Sequence, residues 1–221
     1  MLHDMFVVLM PILLSAAPAP TVDDPRLPEK EIAELVDQLV SPNVAPTRRG
    51  PGMKYPEGFD REAQKRVFEA WQKLRSLGLD AFPAVIKRLD DDRYSFTNDG
   101  AWVKENWTVG RACADIICGH LQPFGTLPYA RGNKGDSRPF VLRPSYCAEH
   151  GLSSPELAAA WWSKNKDKKL LELQIEAIEW TIAEESKSTR FSDDERKYMA
   201  EYLKDAQKAE KPLRPSSPFP Q

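Results

Sequence analysis

Two short spacings collect the side chains best suited to chemistry. Cys118-Gly119-His120 and Cys147-Ala148-Glu149-His150 each set a thiol beside an imidazole, and such soft ligands hold zinc when four of them converge tetrahedrally. The second spacing suits a ligand pair, whereas the first is unusually close. A histidine on an apolar helical stripe is more often a hydrogen-bonded core residue. No cofactor is therefore expected, and Cys118, His120, Cys147 and His150 form only the weaker alternative of a metal site. Asp99, Asp115 and Glu149 would supply an acid and a base around His120, the basis of an alternative reading as an envelope hydrolase. The chain has no Gly-x-Ser-x-Gly elbow, phosphate loop or His-Glu-x-x-His. Acyl transfer, nucleotide chemistry and zinc proteolysis thus lack an anchor.

A second set of residues suits recognition better than catalysis. Tyr94, Trp102, Trp107, Tyr129, Arg131, Arg143 and Tyr146 fall mostly on irregular stretches. Aromatic rings near arginine give rigid contact area with an orienting charge, which fits a protein, peptide or carbohydrate surface. The competing expectation is that these rings fill gaps between loosely wound segments and helices. Three cysteines are too few for a disulfide scaffold. If Cys113 and Cys118 share a helix, they lie about 140° apart around its axis and about 7.5 Å along it, so any bridge would use Cys147. Cys113, among Ala112, Ala114 and Ile116, fits a buried small hydrophobe.

The chain of 221 residues carries a net charge of −2, with no sustained basic field of the kind that neutralises phosphates, so nucleic acid is not an expected partner. Residues 5–14 are apolar and lead into Ser15-Ala16-Ala17, the pattern of an export segment too short to span a bilayer. The expected organisation is a signal peptide over 1–19, a linker over 20–28, a single α-helical domain over 29–210 and a disordered Pro-rich tail over 211–221. The mature chain should have no transmembrane span and work in the periplasm or outside the cell.

The elements that must position these residues follow from apolar spacing and caps. Helices are expected over 29–40, over 61–77 with Asp60 as N-cap and Gly78 as stop, and from Asp80 to about 89 as the return arm of an αα-hairpin. A helix over 109–121, capped by Thr108, turns Val109, Cys113, Ile116 and His120 inward. Others start at Ser153-Ser154-Pro155, at 169, and at Ser192 with Glu195 as a capping box. The helix over 169–185 has two adjacent apolar stripes, implying contact with more than one neighbour. Residues 41–59 and 124–151 form two long irregular straps, with Phe140-Val141-Leu142 as a short extended piece. Asp90-Asp91-Asp92 suits a solvated helix end and lacks the alternation of a calcium loop. The fold class is all-α, an irregular bundle of about six or seven helices.

Residues 74–91, Leu-Arg-Ser-Leu-Gly-Leu-Asp-Ala-Phe-Pro-Ala-Val-Ile-Lys-Arg-Leu-Asp-Asp, resemble the centre of a HEAT-type helical hairpin. In that family a helix ends at Gly, here Gly78, a Pro follows in the next first turn, here Pro83, and the second helix closes with Leu-Asp, here Leu89-Asp90. The resemblance covers one hairpin, without a second copy at a period of 35 to 50 residues. It implies an α-α architecture. With its export segment and its Trp161-Trp162-Ser163-Lys164 and Leu173-Gln174-Ile175-Glu176 stretches, the chain also resembles secreted bacterial proteins of no assigned activity. The expected function is non-catalytic binding or scaffolding in the periplasm or cell envelope, with a protein or envelope polymer as partner. A third reading is an inhibitor or immunity-type protein that plugs a partner's active site.

Overall fold

The computed structural model describes residues 27–49, 52–99, 104–123, 145–189 and 192–214. The expected export segment, most of the linker, most of the tail and the extended piece at 140–142 lie outside them. Eight α-helices carry the described architecture: α1 (Glu29–Asp37), α2 (Arg61–Ser76), α3 (Phe82–Ile86), α4 (Val109–Leu121), α5 (Tyr146–Glu149), α6 (Pro155–Asn165), α7 (Leu170–Ser186) and α8 (Asp193–Lys208). Between them stand two antiparallel hairpins, β1 (Thr47–Arg49) with β2 (Gly52–Lys54), and β3 (Tyr94–Asp99) with β4 (Lys104–Thr108).

The hairpins correct the all-α expectation. The first lies inside the 41–59 segment expected to be an irregular strap. The second forms where Tyr94, Phe96, Trp107 and Thr108 favour extended backbone, pairing Phe96 with Trp107 and Thr97 with Asn106 across a bulge at its start. Both rings of the Phe96–Trp107 pair are buried, so burial of one face of β3–β4 outweighs the helical bias of the surrounding chain.

Local chemistry starts two helices where the sequence places them. The Asp60 carboxylate accepts from the Ala63 backbone N–H at 2.9 Å, and the Thr108 hydroxyl accepts from that of Arg111 at 3.1 Å; each satisfies an N–H that has no partner within its helix. Val109, Cys113, Ile116 and His120 all turn inward on α4, as their spacing predicts. At Gly78, φ is +60°, the left-handed conformation that ends α2. Asp80 is not at an N-cap position: it lies within a 3-10 turn, Gly78–Ala81, that runs directly into α3, whose N-cap is Ala81. The return arm is thus only five α-helical residues long, and α3 packs mainly against α4, α6 and α1.

One apolar core unites α1 to α7, with Trp71, Leu74, Phe82, Ile116, Leu121, Leu152 and Leu173 almost wholly enclosed. A smaller cluster of Ile178, Met199 and Ala206 joins α7 to α8. α7 uses its two stripes as its sequence implies, meeting α4 and α5 on one side and α8 on the other. Among the described residues no helix is long and apolar enough to cross a membrane.

Candidate functional site

The α2 residues Arg61, Gln64, Lys65 and Phe68 repeat at i, i+3, i+4 and i+7, which places them on one stripe beside the core stripe of Val67, Ala70, Trp71 and Leu74. This second stripe faces β3 and the chain leaving β2. Together Tyr55, Phe59, Arg61, Gln64, Lys65, Phe68, Tyr94, Phe96 and Thr97 line an open cleft of about 230 Å³.

The cleft floor is continuous with the aromatic core. Phe68 meets Phe96 edge to face at 5.7 Å between centroids and stacks on Trp71 at 5.2 Å. Phe96 lies 5.2 Å from Trp107. At the rim, Tyr55 and Phe59 make an edge contact at 4.9 Å, and the Arg61 guanidinium lies 5.3 Å from the Tyr55 ring centre. Gln64 fastens the wall: its Nε2 donates to the Ser95 carbonyl at 2.8 Å, while its Oε1 accepts from the Ser41 hydroxyl at 2.8 Å. Tyr94 and Thr97 share a hydrogen bond at 2.9 Å, and Thr97 donates to Asn106 at 2.8 Å. Partial burial pushes the Tyr94 phenol above its ordinary value, keeping it a neutral hydroxyl. Arg61 and Lys65 bring positive charge, with no carboxylate among the described lining residues.

Of the described residues expected to make a binding surface, Tyr94 alone lines this cleft. Trp107 and Tyr146 are 2 % and 1 % exposed, which corrects their assignment to a surface. Trp107 completes the cluster with Trp71 and Phe96, and its Nε1 donates to Glu105 at 2.8 Å. Tyr146 is stacked on His150 at 4.0 Å, accepts from Trp161 Nε1 at 3.2 Å and donates to Glu176 at 3.0 Å. Trp102, Tyr129, Arg131 and Arg143 lie outside the described residues. Sequence reasoning missed Tyr55, Phe59, Arg61 and Phe68; the i, i+3, i+4, i+7 stripe on α2 was the available signal.

The metal alternative is corrected by helix geometry. Cys118 and His120 are two positions apart, about 200° around the axis, which turns their side chains to opposite sides of α4. His120 Nε2 lies 2.7 Å from the Arg75 carbonyl oxygen, His150 Nδ1 lies 2.8 Å from that of Tyr146, and the Cys118 thiol meets Cys147. Among the described residues no three His, Cys, Asp or Glu side chains gather as metal ligands. Asp91 is also unlike the solvated helix end expected of it. Its carboxylate accepts from Arg93 Nε at 2.9 Å and Nη2 at 2.6 Å, which holds it below the usual carboxylate range.

A second cleft, about 330 Å³, lies between α5, α6 and α7, lined by His150, Leu157, Ala160, Trp161, Lys164, Asn165 and Glu176. Several of its polar groups are already engaged by the surrounding fold: Glu176 accepts from Tyr146 and Lys168, and Asn165 Nδ2 donates to the Trp161 carbonyl. The first cleft, with its cationic rim, is the better candidate for an external partner. No family model, curated protein or solved structure matches the chain.

Proposed function

We propose that the chain is a non-catalytic binding protein of the cell envelope, which grips an acidic polypeptide segment of a protein partner in the cleft between α2 and β3. The supporting observation is the pairing of an aromatic floor with Arg61 and Lys65 and no described lining carboxylate. At about 230 Å³ the cleft falls below the roughly 300–1,000 Å³ typical of small-molecule sites. It fits a single apolar anchor side chain, with the cations at the rim meeting acidic neighbours of that anchor. Such anchors dominate protein interfaces, while rim charges steer association and select partners.

The export pattern of residues 1–19 carries the location. The hydrolase alternative has less support, because His120 is 4 % exposed and lines neither cleft. The test is fluorescence anisotropy with labelled peptides in which one aromatic or leucine residue is flanked by Asp and Glu, beside matched neutral and basic peptides. Acidic peptides should bind more tightly, and added salt should weaken them. Charge reversal by Arg61→Glu with Lys65→Glu should weaken binding about tenfold or more, equivalent to at least about 1.4 kcal/mol. Equal binding of acidic and neutral peptides would overturn the reading. Binding of anionic polysaccharide in their place would move the partner from protein to envelope polymer.

A further inference from the structure

α4 carries two of the three cysteines and sends them into different surroundings. Cys113 is wholly enclosed, and burial pushes its thiol up to about 12. Five residues on, about 140° around the helix axis, Cys118 is only partly buried and lies in the last turn of α4. Its thiol neighbours that of Cys147, and both are free thiols. Cys147 is itself 4 % exposed on α5.

The backbones bearing these sulfurs are fastened to each other by groups other than sulfur. Gln122 bridges them: its N–H donates to the Cys118 carbonyl at 2.8 Å, and its Oε1 accepts from the Cys147 N–H at 3.4 Å and the Ser145 hydroxyl at 3.2 Å. α5 is further anchored by Tyr146, enclosed and bonded to Glu176, and by the Cys147 carbonyl, which accepts from Leu152 N–H at 2.9 Å. These bonds hold the last turn of α4 against the start of α5, the two places that carry the sulfurs. No third His, Cys, Asp or Glu among the described residues joins them as a ligand set, which separates this pair from a metal site.

We propose that Cys118 and Cys147 form a disulfide that ties the end of α4 to α5, while Cys113 stays a free thiol. The oxidant is an external disulfide, of a small thiol or of an exchange protein. Cys118, the more exposed sulfur, attacks it as a thiolate; a mixed disulfide forms and the first external thiol leaves with a proton. Cys147 then loses its proton and attacks the Cys118 sulfur, breaking the mixed disulfide and releasing the second external thiol. Two protein thiols are oxidised and one external disulfide is reduced. Contact with Cys118, together with burial, holds the Cys147 thiol well above its ordinary range, so the more exposed Cys118 opens the exchange. The pairing belongs to the fold and does not depend on what the cleft binds. Oxidising space outside the cytoplasm, the location proposed above, is where such disulfides persist.

The test uses the purified full chain, fully reduced, freed of reductant and incubated with glutathione disulfide at several pH values. Samples are quenched in acid, denatured, alkylated and weighed by mass spectrometry. The expected product has lost two hydrogens and carries one alkyl group in place of three, on Cys113, and a non-reducing digest joins the peptides of Cys118 and Cys147. Cys113→Ala should form the same bridge, and Cys118→Ser should not. Three alkylated thiols after prolonged oxidation, a glutathione adduct that never resolves, or a bridge through Cys113 would each overturn the proposal. The wild-type chain reports the pairing directly, so misfolding of either variant leaves the test intact.

Discussion

Two ionisable groups on α4, the buried His120 and the half-buried Asp115, pull the stability of the protein in opposite directions with pH. Burial is the main cause for both. It lowers His120 to about 4, with the nearby Arg75 charge acting the same way, and raises Asp115 to about 6 against the pull of Arg75 and Arg111. The folded state therefore holds the Asp115 proton more tightly than the unfolded chain does, and this contribution is lost as pH rises from about 4 through about 6. His120 does the reverse, since the unfolded chain takes up a proton below about 6.5 that the folded imidazole refuses until about 4. Asp115→Asn removes only the first effect. It should match the wild type near pH 4 and exceed it by about 2 kcal/mol near pH 7, a value reduced for the partial exposure of the carboxyl. Urea denaturation at both pH values checks this; equal stability of the two proteins at pH 7 would mean that Asp115 is solvated. The sequence showed that His120 faces inward, because its place on the α4 stripe follows from period alone. It did not show that the Arg75 carbonyl would bind it, since that contact spans 45 residues.

At the scale of elements, the approach of α4 to the chain that follows α3 decides what a residue can be. The Val109 and Gly110 N–H groups donate to the carbonyls of Arg93 and Asp91 at 2.9 and 2.8 Å, so the start of α4 is hydrogen-bonded by neighbouring backbone. A Cβ on Gly110 would lie 2.3 Å from the Leu89 carbonyl oxygen and 2.8 Å from its carbon, and these backbone atoms cannot rotate away. Alanine is the better helix former by about 1 kcal/mol, yet Gly110→Ala should destabilise the fold by about 2 kcal/mol through overpacking. A chemical denaturation midpoint at or above that of the wild type would disprove this contact. Caps and stripes made α2, α4, α6 and α7 legible, because each is written within a few neighbouring residues. The hairpins were harder to read. Their strands are short, and β3–β4 is stabilised by Phe96 and Trp107 packing on Trp71, a contact that local spacing does not encode. The short α3 has the same cause, since its partners α4 and α6 lie far along the chain.

Across the whole molecule the two apolar clusters imply two levels of cooperativity. The large core joins α1 to α7, whereas α8 rests on α7 through Ile178, Met199 and Ala206, with Ile175, Ile182, Tyr202 and Leu203 at its margin. Gln174, itself enclosed, reaches past α8 and pins the chain beyond it: its Nε2 donates to the Leu213 carbonyl at 3.0 Å and its Oε1 accepts from the Leu213 N–H at 2.8 Å. The same amide donates to the His120 carbonyl at 2.8 Å, so one side chain links both clusters. The cleft between α2 and β3 stands on the large cluster, away from α8. Legibility at this scale was partial. The two stripes of α7 foretold two neighbours but not which helices they would be, and the surface expected of Trp107 and Tyr146 became core because both rings meet helices distant in sequence. Native-state hydrogen exchange tests the division. Amides of α8 should open at lower free energy than those of α4, since the smaller cluster gives fewer apolar contacts to lose before α8 separates. Met199→Ala should widen that gap, accelerating exchange in α8 while leaving α2 and α4 unchanged and peptide binding in the cleft intact. Equal protection of α4 and α8 in both proteins would instead show that Gln174 couples the clusters into a single cooperative unit, and Met199→Ala would then lower the stability of the cleft as well.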